Sequence, residues 1–165
     1  MRADTRLGIL LAAALLVAAC NKGRKTGEEC AFEPLPAGAT LIYRGGGGLK
    51  AQFVRFTVFD DGRVESGKDS AVRRGRVPVA RVEKLKTDVA ATGALNEKDG
   101  CWAPSKQQDD SYFASMVMRA SGNVVHSYTT QEGASPPPAI DRALDIAAEF
   151  GSEVRPLLEA DAAVP

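Results

Sequence analysis

Few side chains in this sequence could take part in acid-base catalysis. His126 is the only histidine, and a histidine can act as a general base near neutral pH. Asp109 and Asp110 are adjacent carboxylates that could form an acid-base pair or bind calcium. The chain has no GxSxG or HExxH motif, and no EF-hand spacing surrounds the two aspartates. We therefore predict no catalytic residues and no enzyme, with an enzyme that uses Asp109, Asp110 and His126 kept as an alternative.

Four consecutive glycines could imitate a loop that cradles phosphate. A P-loop needs a GK[ST] ending followed by a helix, whereas residues 49–51 lead here into a predicted strand. The run is predicted as a flexible connection between strands, or as a loop whose bare backbone lies against another protein's groove. In the second case the partner-binding residues would be Gly45, Gly46, Gly47 and Gly48.

The N-terminus has the pattern of a secretory signal. Arg2 and Arg6 precede an apolar run of 13 residues, 7–19, which is shorter than the roughly 20 residues that cross a bilayer core as a helix. The run ends in Val17-Ala18-Ala19-Cys20, which resembles the bacterial lipobox. The resemblance implies that residues 1–19 are a lipoprotein signal peptide and that Cys20 is lipidated. The alternative is an ordinary signal peptide cut after Ala19.

The same resemblance implies a location in the cell envelope. Several acyl chains on one residue anchor a protein stably, whereas a single chain is marginal. In lipoproteins of the enterobacterial type an aspartate after the lipidated cysteine marks retention at the inner membrane, and this chain has Asn21 there. We therefore expect a lipid anchor in the outer membrane, with the domain facing the periplasm.

Two cysteines remain once Cys20 is assigned to lipid. In an oxidising compartment the simplest expectation is a Cys30–Cys101 disulfide. It would close a loop of about 70 residues and contribute roughly 4 kcal/mol on the chain-entropy model. Two buried free thiols or a metal pair are the alternatives. With one histidine and no CxxC motif a zinc site would lack ligands, so neither a metal site nor a cofactor is predicted.

Composition indicates one domain and no polyanion partner. Removal of residues 1–19 from the 165 leaves 146, enough for one core. It also deletes Arg2, Arg6 and Asp4, so 21 basic and 21 acidic groups become 19 and 20, a net charge of −1. The one local basic stretch, Arg73–Arg76, is too short for a nucleic-acid footprint and is predicted as a solvated loop. We therefore predict no binding of nucleic acid.

Hydrophobic spacing predicts two hairpins and two helices. Residues 52–60 alternate and turn at 60–63 into a second strand at 64–66, and residues 112–119 and 124–130 flank a turn at 120–123. An amphipathic helix follows Pro78 and ends near Gly93, and another follows the three prolines 136–138. Residues 96–110 are predicted as a polar loop that carries Cys101 and Trp102, and Trp102 as a packing residue.

This order predicts an α+β fold, in which an antiparallel four- to five-stranded sheet built of hairpins carries two helices on one face. The predicted boundaries are a signal peptide at 1–19, a lipidated cysteine with a flexible tether at 20–36, a single domain at 37–155 and a C-terminal tail at 156–165.

The turn residues support a resemblance to a known family. Tyr43-Arg44 with the glycine run, Asp110 with Tyr112, Gly122 with His126, and the segment 132–137 before the last helix resemble emfourin-type domains. These domains are small protein inhibitors of thermolysin-like metalloproteases, and related domains of unknown function share the pattern. The resemblance implies the same sheet-and-helix fold and, as one hypothesis, inhibition of a secreted metalloprotease.

Taken together, these patterns favour a non-enzymatic binding protein. The first hypothesis is an envelope lipoprotein whose domain binds a protein partner through the glycine run and residues 96–110. The second is the protease inhibitor. The expected partners are the membrane, through the lipid, and an envelope protein or a secreted protease.

Overall fold

The computed structural model describes residues 24–25, 32–47, 52–67, 72–104 and 111–161. The strands are β1 (Arg24–Lys25), β2 (Ala39–Gly47), β3 (Gln52–Phe59), β4 (Arg63–Ser66), β5 (Arg73–Arg76), β6 (Gly100–Trp102), β7 (Phe113–Arg119) and β8 (Val125–Gln131). The helices are α1 (Val79–Ala91) and α2 (Pro138–Asp161), with short 3-10 turns at Ala94–Asn96 and Ser121–Asn123. The α+β class is confirmed.

The sheet is larger than the four to five strands predicted. Its order is β1-β6-β8-β7-β2-β3-β4-β5, so seven strands stand beside the two-residue β1. Most neighbours are antiparallel, but β6 and β8 are parallel, which corrects the wholly antiparallel prediction. The central strand β2 pairs with β3 on one side and β7 on the other.

The two predicted hairpins are confirmed. β3 and β4 pair around a turn at which Gly62 has φ 85°. A Cβ at this glycine would lie 2.2 Å from the Val77 carbonyl oxygen, so no side chain fits there. β7 and β8 pair in a register that joins Met116 to Tyr128.

Both helices pack on one face of the sheet, as predicted. In α1 the buried residues Val82, Leu85 and Val89 face the core, and the chain leaves the helix at Gly93, where φ is 82°. In α2 the buried positions follow helical spacing: Ile140, Ala143, Leu144, Ala147, Phe150, Val154 and Leu158.

α2 is also longer than expected. It continues to Asp161 through Pro156, although a tail was predicted from residue 156. Val154 and Leu158 are buried, and Leu157 lies against β5, where a Cβ on Gly75 would be 3.3 Å from the Leu157 Cβ. Packing against the edge of the sheet therefore holds the helix beyond the proline.

Two further predictions are wrong because tertiary contacts override polar composition. The basic stretch Arg73–Arg76 is not a loop but the edge strand β5, which pairs with β4. The predicted loop at 96–110 contains β6, where Trp102 is 7% exposed and belongs to the core, as expected of a packing residue.

Part of the predicted tether also contacts the domain, because β1 pairs with β6. Among the described residues no helix is long and apolar enough to cross a membrane.

Candidate functional site

Side-chain size changes abruptly between two neighbouring rows on the helix-covered face. Each row crosses strands β8, β7, β2 and β3 in register. The "large row" fills the space under the helices and consists of Tyr128, Met116, Tyr43 and Phe56. The "small row" is the next row on the same face, two residues away on every strand. It consists of Thr130, Ala114, Gly45 and Val54. Because the small row cannot reach α2, it leaves a gap between sheet and helix.

That gap is a groove of about 470 Å³, here called the α2 groove. Its size falls in the range of roughly 300–1,000 Å³ that is usual for ligand sites. The small row forms its floor, and one side of α2 forms a wall through Asp141, Ala148, Ser152 and Arg155. Since Asp141 and Arg155 are 14 residues apart in one helix, the wall is about 21 Å long.

The glycine run lies beside this groove, but not as the loop that was predicted. Gly45, Gly46 and Gly47 belong to β2 and pair with β3, and Gly45 and Gly46 also pair with β7, so the prediction of a flexible connection is wrong for these three. A Cβ at Gly45 would lie 2.6 Å from the Tyr43 hydroxyl, and one at Gly47 would lie 2.4 Å from the Ser111 carbonyl oxygen. The glycines therefore allow close packing at the end of the groove. Gly48 lies outside the described residues.

Several polar groups of the groove have no protein partner in the described part of the chain. The Asp141 carboxylate and the Arg155 guanidinium make no ion pair there. The Gln131 Oε1 atom is buried and accepts no hydrogen bond from the described residues. Burial raises the pKa of Tyr43, and the Asp145 carboxylate and Tyr112 raise it further, so its hydroxyl stays protonated and can donate. A ligand with polar groups could satisfy these atoms.

The rim of the groove is held in place by contacts between β7 and the segment after β8. The Glu132 N–H donates to the Tyr112 carbonyl oxygen at 2.7 Å, and the Tyr112 N–H donates to Glu132 Oε2 at 3.2 Å. The Tyr112 side chain is 56% exposed. An exposed aromatic ring on a fixed backbone is a common contact for a partner protein.

Of the alternative acid-base residues only His126 is described, and it does not lie at the groove. His126 pairs with Met118 near the opposite end of the β7–β8 hairpin. Its Nδ1 lies 3.3 Å from Asp99 Oδ1 without forming a hydrogen bond of good geometry. Asp109 and Asp110 lie outside the described residues. In the part of the chain that the structure describes, no cluster of three or more His, Cys, Asp or Glu side chains could hold a metal ion.

The predicted cysteine sites are only partly described. Cys101 lies in β6 and is disulfide-bonded, whereas Cys20 and Cys30 lie outside the described residues. The Cys30–Cys101 pairing and the lipidation of Cys20 therefore stay predictions.

Sequence reasoning missed Asp141 and Arg155, because it used the last helix only for its apolar side. Their spacing with Ala148 and Ser152 places all four on one side of a helix, and the alternation of β2 places Gly45 on the same face as Tyr43. Those two signals together could have indicated the groove.

Neither a scan against protein-family models nor a search of curated proteins finds a match for the chain. The groove is therefore the main indication of function.

Proposed function

We propose that the chain is a lipoprotein of the cell envelope whose domain is a non-enzymatic protein-binding module. Lipid on Cys20 would hold it in the outer membrane, facing the periplasm, and an extended segment of a partner protein would lie in the α2 groove. The observation that carries this proposal is a groove of about 470 Å³ in which the Asp141, Arg155 and Gln131 side chains have polar groups without a partner among the described residues.

The dimensions of the groove favour a peptide segment. An extended chain rises about 3.3 Å per residue, so a wall of about 21 Å accommodates roughly six residues. Val54, Ala114 and Ala148 offer apolar contacts along it. Asp141 at one end and Arg155 at the other favour a segment with a basic group at one end and an acidic group at the other.

The state of Cys101 supports the proposed compartment. A disulfide persists in oxidising compartments outside the cytoplasm. The chain has three cysteines, so the partner of the disulfide-bonded Cys101 within the chain is Cys20 or Cys30. If Cys20 carries lipid, Cys30 is the remaining partner. Intact mass of protein from the native membranes, before and after reduction and alkylation, tests both assignments. A chain that lacks the diacyl mass would contradict the anchor.

Site-specific photocrosslinking in native envelopes tests binding in the groove. A photoreactive residue at position 112 would lie on the rim, and one at position 124 would lie at the other end of the same hairpin. The two native side chains, Tyr112 and Val124, are 56% and 54% exposed, so they form a matched pair. We expect a discrete crosslinked partner from position 112 and none of that mass from position 124.

A second pair of variants ties the crosslink to the groove. Ala114→Leu adds three carbon atoms to the half-buried floor, whereas Ala90→Leu adds the same atoms to an exposed position of α1. We expect Ala114→Leu to remove the crosslink from position 112 and Ala90→Leu to leave it. A crosslink that survives Ala114→Leu in a folded protein would contradict binding in the groove.

The resemblance to emfourin-type domains supports a second candidate, an inhibitor of a secreted thermolysin-like metalloprotease. Because Gly45 and Gly46 pair with strands on both sides and Gly47 pairs with β3, the backbone of these glycines is largely occupied within the sheet. Inhibition would then use residues 48–51 or the groove. The purified protein would be tested at micromolar concentration against several thermolysin-like proteases. Unchanged hydrolysis rates would exclude this candidate, and inhibition that Ala114→Leu abolishes would assign it to the groove.

A further inference from the structure

Arginines are concentrated on the face of the sheet that the helices do not cover. Tyr43, Phe56 and Val64 point into the core, so their strand neighbours point the other way. The register then brings together five arginines of four adjacent strands, which we call the basic face: Arg44, Arg55, Arg63, Arg74 and Arg76.

Three carboxylates accompany these arginines. Glu33 pairs with Arg44 and Arg55, Glu65 pairs with Arg63 and Arg74, and Asp61 pairs with Arg76. These eight groups, five positive and three negative, together carry a charge of +2. The Arg74 and Arg76 side chains are 65% and 68% exposed, whereas Glu65 is 23% exposed. The guanidinium groups therefore extend further into solvent than the glutamate beneath them.

Protection of the sheet edge explains only part of this pattern. Charged side chains on an edge strand prevent unwanted pairing with other chains, and this accounts for Arg74 and Arg76 on β5. Arg44 and Arg55 lie inside the sheet rather than at its edge, where both pair with Glu33 and Arg55 also donates to the Gly67 carbonyl oxygen at 2.9 Å. Exposed ion pairs also add little stability. A negatively charged partner could contact arginines on all four strands, which together span about 15 Å.

The chain enters the domain on this same face. Glu33 lies over Arg44 and Arg55, and Arg119 holds the Ala39 and Pro36 carbonyl oxygens. Cys20 precedes Phe32 by 12 residues, a distance that cannot exceed about 40 Å. It also precedes β1 by four residues, and β1 lies at the opposite edge of the sheet from β5. A membrane that held Cys20 would therefore contact Arg74 and Arg76 if it lay along this face from β1 to β5, a width of about 34 Å.

We propose that the basic face docks on anionic phospholipid headgroups of the membrane that holds Cys20. This inference depends on the lipid anchor of the proposed function. Guanidinium groups bind phosphate oxygens through paired hydrogen bonds and can exchange a carboxylate for a phosphate. The orientation would turn the α2 groove, on the helix side of the sheet, away from the bilayer and toward a partner.

Labelling of arginines in the lipidated, full-length protein tests the docking. The protein would be placed in vesicles of phosphatidylcholine alone or with one third phosphatidylglycerol, treated with an arginine-specific dicarbonyl reagent and read by mass spectrometry. We expect phosphatidylglycerol to slow labelling of Arg74 and Arg76 about fivefold at low salt. Arg142, on the helix side and 58% exposed, should label equally in both. High salt should remove the difference, because it screens exposed charges.

A charge-matched pair of variants controls for net charge. Arg74→Glu with Arg76→Glu should remove the protection of Arg63, whereas Lys84→Glu with Arg142→Glu changes the charge equally on the helix side and should preserve it. Equal labelling of Arg74 and Arg76 in both vesicles, with lipid detected on Cys20, overturns the docking and leaves the anchor intact. Absence of lipid on Cys20 in the same mass spectra overturns the anchor, and this proposal with it.

Discussion

The large row and the small row occupy the same four strands, the same face and the same side of α2, yet they do opposite things. Large side chains fill one row, where Phe56 stacks on Tyr43 at 5.3 Å and lies 6.1 Å from Phe150. In the next row, two residues away on every strand, short side chains leave an open groove. A core and a binding site can therefore adjoin in one sheet when side-chain size alone changes. Stability should depend on the large row and binding on the small row.

Phe56→Ala should have the largest effect on stability. The ring is 1% exposed and lies between Tyr43 and Phe150, so its removal leaves a cavity and should lower the free energy of unfolding by about 3–5 kcal/mol. Urea denaturation would measure the loss. Val54→Ala, on the same strand in the small row and only half-buried, should cost under about 1.5 kcal/mol. Equal losses would show that the two rows do not differ as described.

Gly151→Ala should destabilise although alanine favours helices. An added Cβ would lie 2.4 Å from Phe56 Cε1, and overpacking of about 1–3 kcal/mol exceeds the gain of about 1 kcal/mol in helix propensity. We expect a net loss of up to about 2 kcal/mol, measured by thermal or urea unfolding. Ser152→Ala, at the next and exposed position, should be neutral or slightly stabilising. A stabilised Gly151→Ala variant would mean that the Phe56 ring can move away.

Tyr128→Phe and Tyr43→Phe remove the same atom from two members of the large row. The Tyr128 hydroxyl donates a buried hydrogen bond of 2.6 Å to the Ala94 carbonyl oxygen, so its loss should lower stability by about 1–1.5 kcal/mol. The Tyr43 hydroxyl faces the α2 groove and should contribute less than about 0.5 kcal/mol to folding. Instead, Tyr43→Phe should weaken the crosslink from position 112. A reversed order of the two stability losses would contradict the assignment.

Thr40→Val, at the end of the strands away from the groove, should give a modest and pH-dependent effect. The Thr40 hydroxyl donates to Asp60 Oδ1 at 2.5 Å, and this bond lowers the pKa of Asp60, with Lys86 lowering it further against the opposing effect of burial. A lowered carboxylate pKa stabilises the fold above the ordinary value of 3.8, and this contribution disappears as the pH falls through the folded-state value.

The variant should thus lose at most about 1 kcal/mol at neutral pH, because Asp60 is half exposed to solvent, and less once acid protonates Asp60. Thr87→Val serves as the control, because the Thr87 hydroxyl bonds only the Glu83 carbonyl oxygen on an exposed helix surface. A pH-independent loss in Thr40→Val would mean that its hydroxyl does not act through Asp60.

The elements with a strong period were predictable. Alternation predicted the strands β3 and β7, and helical spacing located α1 and the start of α2. The failures share one cause. β5, with three arginines in four residues, and β6, with three residues, carry no local signal, and they form because the sheet offers unpaired edges. α2 continues beyond Pro156 because Val154 and Leu158 pack on residues that are distant in the sequence. This cause is not visible locally either.

The site was less predictable than the fold. The residue pattern singled out the glycine run but could not decide between a loop and a strand, because glycine has no side chain whose alternation would reveal a sheet position. It also contained Asp141 and Arg155 at helical spacing without indicating what they face.

By itself the sequence determines which side chains share a face, because a strand repeats every two residues and a helix every 3.6. Only the tertiary structure decided that the small row lies opposite α2, that Gly45 lies under the Tyr43 ring, and that arginines from four strands meet on the face without helices. Those outcomes depend on strand order and register, which are set by contacts between residues far apart in the chain.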